Sequence, residues 1–224
     1  MILPVLTVIY HENIQHFNMA LKAWKSFPKS EKYAVINRKL EDVLYPDNII
    51  YLENDENCLA RAWNIGLKNI FEKHDVAIVS GLDSEAPTRF HIRNMIMLAK
   101  SDPTIGIVSA NCTNHLRGEV PIEHGDGSFS FFVITRKAFQ KIGDFNERYK
   151  PAYFEDNDYL ERAWEAGYKP IKMLDAKYFH IFQGSMKYGP EAKRKYSEFM
   201  NRNLEIFKKE YGKVPDHLPP NIRF

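Results

Sequence analysis

Two acidic groups are the residues of this chain best suited to chemistry. The first is Asp83 and Glu85 in Ser80-Gly81-Leu82-Asp83-Ser84-Glu85, one residue apart where the apolar run Val76 to Leu82 stops. Carboxylates at that spacing can face a single ion, and hard divalent cations such as Mg2+ and Mn2+ bind through one or two carboxylates together with substrate phosphates. Taken alone, an acidic pair after a strand is more often a solvated turn or a helix cap than a metal site. The second group changes that reading. It is Tyr153-Phe154-Glu155-Asp156-Asn157-Asp158, preceded by Gly143-Asp144-Phe145-Asn146-Glu147 and followed by Arg162 and Ala166-Gly167-Tyr168. Acids suit a helix N-terminus, yet three in four positions exceed what a cap requires, and the aromatic pair ahead of them would shield a site from water. A carboxylate there can take a proton from an attacking hydroxyl.

The elements around these groups alternate between strand and helix. Leu3 to Tyr10 is β-prone, and Ile14, Phe17, Leu21 and Trp24 recur at helical spacing. Tyr33 to Ile36 and Ile49 to Leu52 are expected strands, and Leu59, Trp63, Leu67 and Ile70 mark the inner face of an amphipathic helix. Val76 to Leu82 has the nearly continuous apolar pattern of a strand buried on both faces of a parallel sheet. This half therefore predicts a doubly wound α/β sheet, in which ligands collect at the carboxyl ends of the strands, where Asp83 and Glu85 stand. Ile105 to Ala110 is a further strand, Asn111 to Gly127 a polar loop beside the site, and Phe129 to Ile134 a strand. Thr135 to Ile142 and Glu155 to Ala166 are helices, the second ending at Gly167 as a C-terminal cap. Tyr178 to Phe182 is expected as a last strand and Pro190 to Tyr211 as an amphipathic helix packed on the body.

Composition bounds the function class. A chain of 224 residues, 44% hydrophobic and 27% charged, fits one folded α/β domain. No GxGxxG, GxxxxGK[ST] or GxSxG occurs, which argues against a dinucleotide oxidoreductase, a P-loop phosphotransferase and an α/β hydrolase. Cys58 and Cys112 form no CxxC, so a disulfide framework and a thiolate metal site are not expected. The start of the chain lacks a basic n-region, and no apolar run approaches the ~20 residues of a membrane span, so the default expectation is a cytoplasmic protein. The net charge is +2, but residues 186–224 hold nine Lys/Arg against five Asp/Glu. Among the histidines, only His180 rises above an ordinary surface or loop residue.

Taken together these motifs resemble a family 2 type glycosyltransferase of the GT-A fold. Leu6-Thr7-Val8-Ile9-Tyr10 resembles that family's opening strand, Asn57-Cys58-Leu59-Ala60-Arg61-Ala62-Trp63-Asn64-Ile65-Gly66 its Asn-rich donor-binding helix entry, and Asp83-Ser84-Glu85 its DxD metal motif. Gly143 to Gly167 is similar to its acidic signature, and His180 with Ser185 to its closing histidine motif. The resemblance runs from about residue 3 to 187. Position 85 is Glu rather than the commoner Asp, and Ile36-Asn37-Arg38-Lys39 replaces the family's acidic residue and Gly-Ser pair.

The resemblance implies an α/β, Rossmann-like mixed sheet flanked by helices, with a C-terminal helical extension. It implies a single domain over 1–224, with a nucleotide-sugar half to about 110, an acceptor half over 111–185 and a helix over 190–211. The activity implied is metal-dependent, inverting transfer of a hexosyl or pentosyl group from a nucleotide-diphosphate sugar, UDP first among the nucleotides, to an acceptor hydroxyl. Asp83, Glu85 and His180 would hold Mn2+ or Mg2+ on the diphosphate. Tyr10, Glu12, Asn37, Asn57, Arg61, Asn64, Asp83 and Ser84 would line the nucleotide-sugar site. Asp156, with Glu155 beside it in the catalytic pair, would be the general base. The acceptor stays open between a glycan, a lipid-linked sugar at an anionic membrane surface and hydroxymethylated DNA, the last two suited to the basic tail. Two other readings are a binding module of the same fold without turnover, and a nucleotidyltransferase, against which the loop Tyr10-His11-Glu12-Asn13 argues.

Overall fold

Branched and aromatic side chains on alternating faces make the centre of this protein a twisted mixed sheet, covered by helices on both sides. The computed structural model describes residues 2–9, 14–27, 29–36, 41, 43–112, 129–180 and 190–215. The strands are β1 (Leu3–Ile9), β2 (Ser30–Ile36), β3 (Ile49–Glu53), β4 (Val76–Ser80), β5 (Ser84–Glu85), β6 (Ile107–Cys112), β7 (Phe131–Thr135) and β8 (Ile171–His180). The helices are α1 (Ile14–Lys25), α2 (Leu59–Lys73), α3 (Arg89–Ser101), α4 (Arg136–Ile142), α5 (Glu155–Glu165) and α6 (Pro190–Tyr211).

The sheet order is β3-β2-β1-β4-β7-β6-β8-β5. Strands β1 to β4 are mutually parallel, as their buried apolar runs predict. β7 runs antiparallel between β4 and β6, β8 is parallel to β6, and the two-residue β5 is antiparallel to β8. One face packs Leu6, Val35, Val79, Phe132 and Ile134 against α2, α4 and α5. The opposite face packs Val5, Ile78, Val108 and Val133 under α3, and Ile9, Ala34 and Ile36 under Phe17, Ala20 and Trp24 of α1. α2 lies so close to β1 that a Cβ on Gly66 would come within 2.3 Å of Leu6 Cδ1. α5 ends as expected: Gly167 takes φ +83°, its N–H donates to Trp164 O, and the Tyr168 N–H donates to Ala163 O.

Four elements differ from the sequence reading. The last strand spans Ile171–His180, where Tyr178 to Phe182 was expected, because parallel pairing with β6 recruits a segment with little apolar alternation of its own. That ladder carries a register shift between Ala110 and Asn111. α3 has no counterpart in the sequence reading, although Ile92, Met95, Ile96 and Ala99 line its buried side. The strand expected from Val76 to Leu82 stops at Ser80, and the chain then turns through Gly81 to Asp83. Of the expected loop Asn111 to Gly127, the first two residues extend β6, and residues 113–127 lie outside the described residues.

Candidate active site

Chain direction brings the acidic groups to one edge of the sheet. The carboxyl ends of β1 to β4 share an edge because these strands are parallel. The start of β7 and the ends of β6 and β8 fall on that same edge, since Ser80 pairs with Phe131, Ser109 with Phe132 and Cys112 with Tyr178. Asp83 follows β4 there, and β5 then pairs Ser84 with His180. His180 Nε2 lies 3.1 Å from Asp83 Oδ1, and both side chains are mostly buried. Burial alone would depress the His180 pKa, but hydrogen bonding to Asp83 and Cys112 and the charge of Asp83 raise it to about 9. The imidazolium and the carboxylate therefore form an ion pair at neutral pH.

Once that shared proton leaves, an imidazole nitrogen and a carboxylate oxygen face each other, a donor set that suits Mn2+. Asp83 and Glu85 line one small recess with Ser84, Met19 and Lys22. Glu85, however, is ion-paired with Lys22 Nζ of α1 at 2.6 Å. Among the described residues no three His, Cys, Asp or Glu side chains are gathered as a metal cluster. The ligands this chain offers are thus Asp83 and His180, joined by Glu85 if it leaves Lys22. Ser84 is buried, and its hydroxyl donates to Ser130 O at 3.4 Å, alongside Gly81 N–H at 2.7 Å.

The second acidic group opens α5, and there the three carboxylates divide by environment. Asp158 is fully buried, and its carboxylate accepts from Asn146 Nδ2 (3.1 Å), Arg162 Nε (2.9 Å) and Tyr211 O–H (3.0 Å). It braces three segments of the chain and has no free face. Glu155 is 4% exposed, and its Oε2 has no hydrogen-bond partner. Burial, and then the charge of Asp156, push its pKa well above the usual carboxylate range, against the N–H groups of Glu155 and Tyr153 that favour the ionised form. Asp156 is half-buried, and one of its oxygens accepts from Asn157 N–H at 2.9 Å. The pair thus sets a partly exposed acid beside a buried one whose environment favours the protonated form.

The stretch between α4 and α5 carries this pair up along α2. Asn64 is buried; its Nδ2 donates to Phe145 O (2.9 Å) and Glu147 Oε1 (3.0 Å), and its Oδ1 accepts from Phe145 N–H (2.7 Å). The Leu59 N–H at the start of α2 donates to Pro151 O at 2.8 Å. This brings residues 151–156 to the α2 N-terminus, which lies beyond the carboxyl end of β3. Phe129 and Ser130 then join the two acidic groups. The Ser130 carbonyl anchors Gly81 and Ser84, and the Phe129 ring lies 6.3 Å from Tyr159 of α5, which stacks on Phe145 at 3.8 Å.

The other expected site residues fall unevenly. Asn57 is exposed just ahead of α2. Arg61 is half-exposed and paired with Asp55 (3.2 Å) and Glu56 (3.7 Å). Asn64 spends its amide on the 145–147 turn, so its bonds organise the fold. Tyr10, Glu12, Asn37 and Ser185 lie outside the described residues. Sequence reasoning missed Lys22, the Cys112 contact to His180, and Asn203 and Tyr211 of α6. Only tertiary pairing relates these residues to the acids, and no local spacing signals them.

No protein-family model matches this chain. A stretch of 77 residues is 34% identical to a galactofuranosyl glycosyltransferase of Leishmania donovani, covering 34% of this chain and 16% of that protein. The crystal structure of GalNAc-T7 with UDP, GalNAc and Mn2+ superposes with a TM-score of 0.63 at 15% identity, over 94% of this chain and 50% of that one. S. aureus TarS 1-349 in complex with UDP-GlcNAc superposes at 0.59 and 13% identity, over 96% and 74%. The match therefore spans only 16% of the Leishmania protein, and this chain covers half of the GalNAc-T7 chain. These likenesses establish the fold as GT-A.

Proposed function

We propose that this chain is a metal-dependent, inverting glycosyltransferase of family 2 type that uses a UDP-sugar. One observation carries the reading: the Asp83–His180 pair and the Glu155–Asp156 pair share the carboxyl edge of the sheet, joined through Phe129–Ser130. The GT-A fold and neighbours crystallised with UDP, UDP-GlcNAc and Mn2+ support it. Asp83 and His180, with Glu85, would hold Mn2+ or Mg2+, which supplies positive charge to neutralise a diphosphate leaving group. Tyr10, Glu12 and Asn37 would receive the nucleoside, and Asn57 and Arg61 would lie along the ribose and phosphates, while Ser84, expected there too, is buried against Ser130. Asp156 accepts the proton of the acceptor hydroxyl as that oxygen bonds to the anomeric carbon. The bond from that carbon to the diphosphate oxygen breaks, and the nucleotide leaves with the electron pair. The burial of Glu155 disfavours a second charge beside the base.

The test is sugar transfer from a panel of UDP-sugars with Mn2+, with and without EDTA, to glycan, lipid-linked and hydroxymethylated-DNA acceptors. Transfer should require the metal, and Asp156→Asn should lower kcat by about 10²–10⁴-fold with the donor KM nearly unchanged. An Asp156→Asn variant with full kcat would remove the base assignment. Tight donor binding without turnover by the wild type would instead mark a binding module of the same fold.

A further inference from the structure

The segment that aims the acid pair is held from outside the sheet by one side chain of α6. Asn203 is fully buried, and its Nδ2 donates to Ala152 O at 2.9 Å and to Tyr153 O at 3.0 Å. Its Oδ1 accepts from Nε (3.2 Å) and a terminal nitrogen (3.0 Å) of Arg202, so the amide is used in full. The carbonyls it grips belong to a constrained turn. Tyr153 and Phe154 are successive non-glycine residues at φ +79° and +73°, a conformation that persists only where the surroundings impose it.

The peptide unit between Ala152 and Tyr153 is held on both sides. Its carbonyl accepts from Asn203, and its N–H donates to the Glu155 carboxyl group. Rotating that unit would break both bonds at once. Around it, Phe154 is seated against Met200, Leu204 and Phe207, and Tyr211 reaches Asp158 one turn into α5. One stripe of α6 therefore meets the entry of α5, with Asn203 as the polar contact at its centre.

We propose that Asn203 is a positioning residue for the transfer reaction. By fixing the Ala152 and Tyr153 carbonyls it sets the turn into α5, and with it the direction in which Asp156 meets the acceptor hydroxyl. The inference rests on the reading of Asp156 as the base. A purely structural asparagine would change stability and leave the turnover of each folded molecule intact.

The full chain carrying Asn203→Ala or Asn203→His is compared with the wild type in UDP-sugar transfer with Mn2+ and in amide hydrogen exchange. Asn203→Ala should lower kcat about 10- to 100-fold per folded molecule, as misplacement of a reacting group does, with the donor KM within about two-fold. Exchange at 153–156 should quicken about ten-fold or more, while β1 and β4 keep their protection. Asn203→His, which retains one N–H donor, should recover part of kcat. Unchanged kcat per folded molecule in Asn203→Ala overturns the proposal, as does a fall in kcat with unaltered exchange at 153–156. Should Asn203→Ala not fold, Asn203→Ser and Asn203→His are judged by the same criteria. If the wild type transfers no sugar while Asn203→Ala opens 153–156, the clamp stands and the glycosyltransfer reading falls.

Discussion

Glu155 and Asp156 are neighbours in the chain with opposite surroundings, and the contrast has a measurable consequence. The folded-state pKa of Glu155 is raised, so the native protein keeps a proton that the unfolded chain has already lost. Its contribution to stability is full below the ordinary carboxyl pKa and is lost as pH rises through the elevated folded value. Glu155→Gln mimics the protonated form at every pH. Relative to the wild type, this variant should gain thermal stability progressively above about pH 4.5, the ordinary pKa of a glutamate, with little difference below it. Superimposable profiles of melting temperature against pH for the two proteins would show that Glu155 is ionised in the fold. Asp158 looks equivalent to its neighbours in sequence, yet its carboxylate is consumed by Asn146, Arg162 and Tyr211. Three acids in four positions can be counted in a sequence, whereas the full use of Asp158 by its partners, the burial of Glu155 and the partial exposure of Asp156 depend on the fold.

At the scale of elements, what was legible had local causes. The acidic turn after β4, the start of α5 at the acid run, the Gly167 cap and the bounds of α6 all follow from residue order and periodicity. α3 escaped although its buried Ile92, Met95, Ile96 and Ala99 fall at helical spacing, because the exposed Phe90 and Met97 add apolar residues off that stripe. The roles of Asn64 and Asn203 escaped because their partners, Phe145 and Ala152, are distant in the chain and carry no local signal. Two substitutions test the packing. Gly66→Ala should cost about 1–3 kcal/mol by forcing α2 off Leu6. A change below about 0.5 kcal/mol in denaturant unfolding would mean that the helix shifts freely. Phe207→Ala empties the contact between α6 and the 149–154 segment and should cost about 3–5 kcal/mol. A loss confined to α6, with protection kept at 149–154, would show that this segment does not depend on the helix.

For the molecule as a whole, the GT-A fold lets acids far apart in the chain approach one edge: parallel strands deliver their ends there, and α2 guides the 143–154 segment to it. Among the described residues no helix is long and apolar enough to cross a membrane. The proposed function requires Asp83 and His180 to hold the donor's metal while Asp156 faces the reacting sugar in the same site. Anomalous diffraction from crystals grown with Mn2+ and a UDP-sugar tests it most directly. The expected result is a manganese peak bound by Asp83 and His180, with the anomeric carbon between that peak and the Asp156 carboxylate. Manganese and nucleotide bound elsewhere, or a sugar turned away from Asp156, would contradict it.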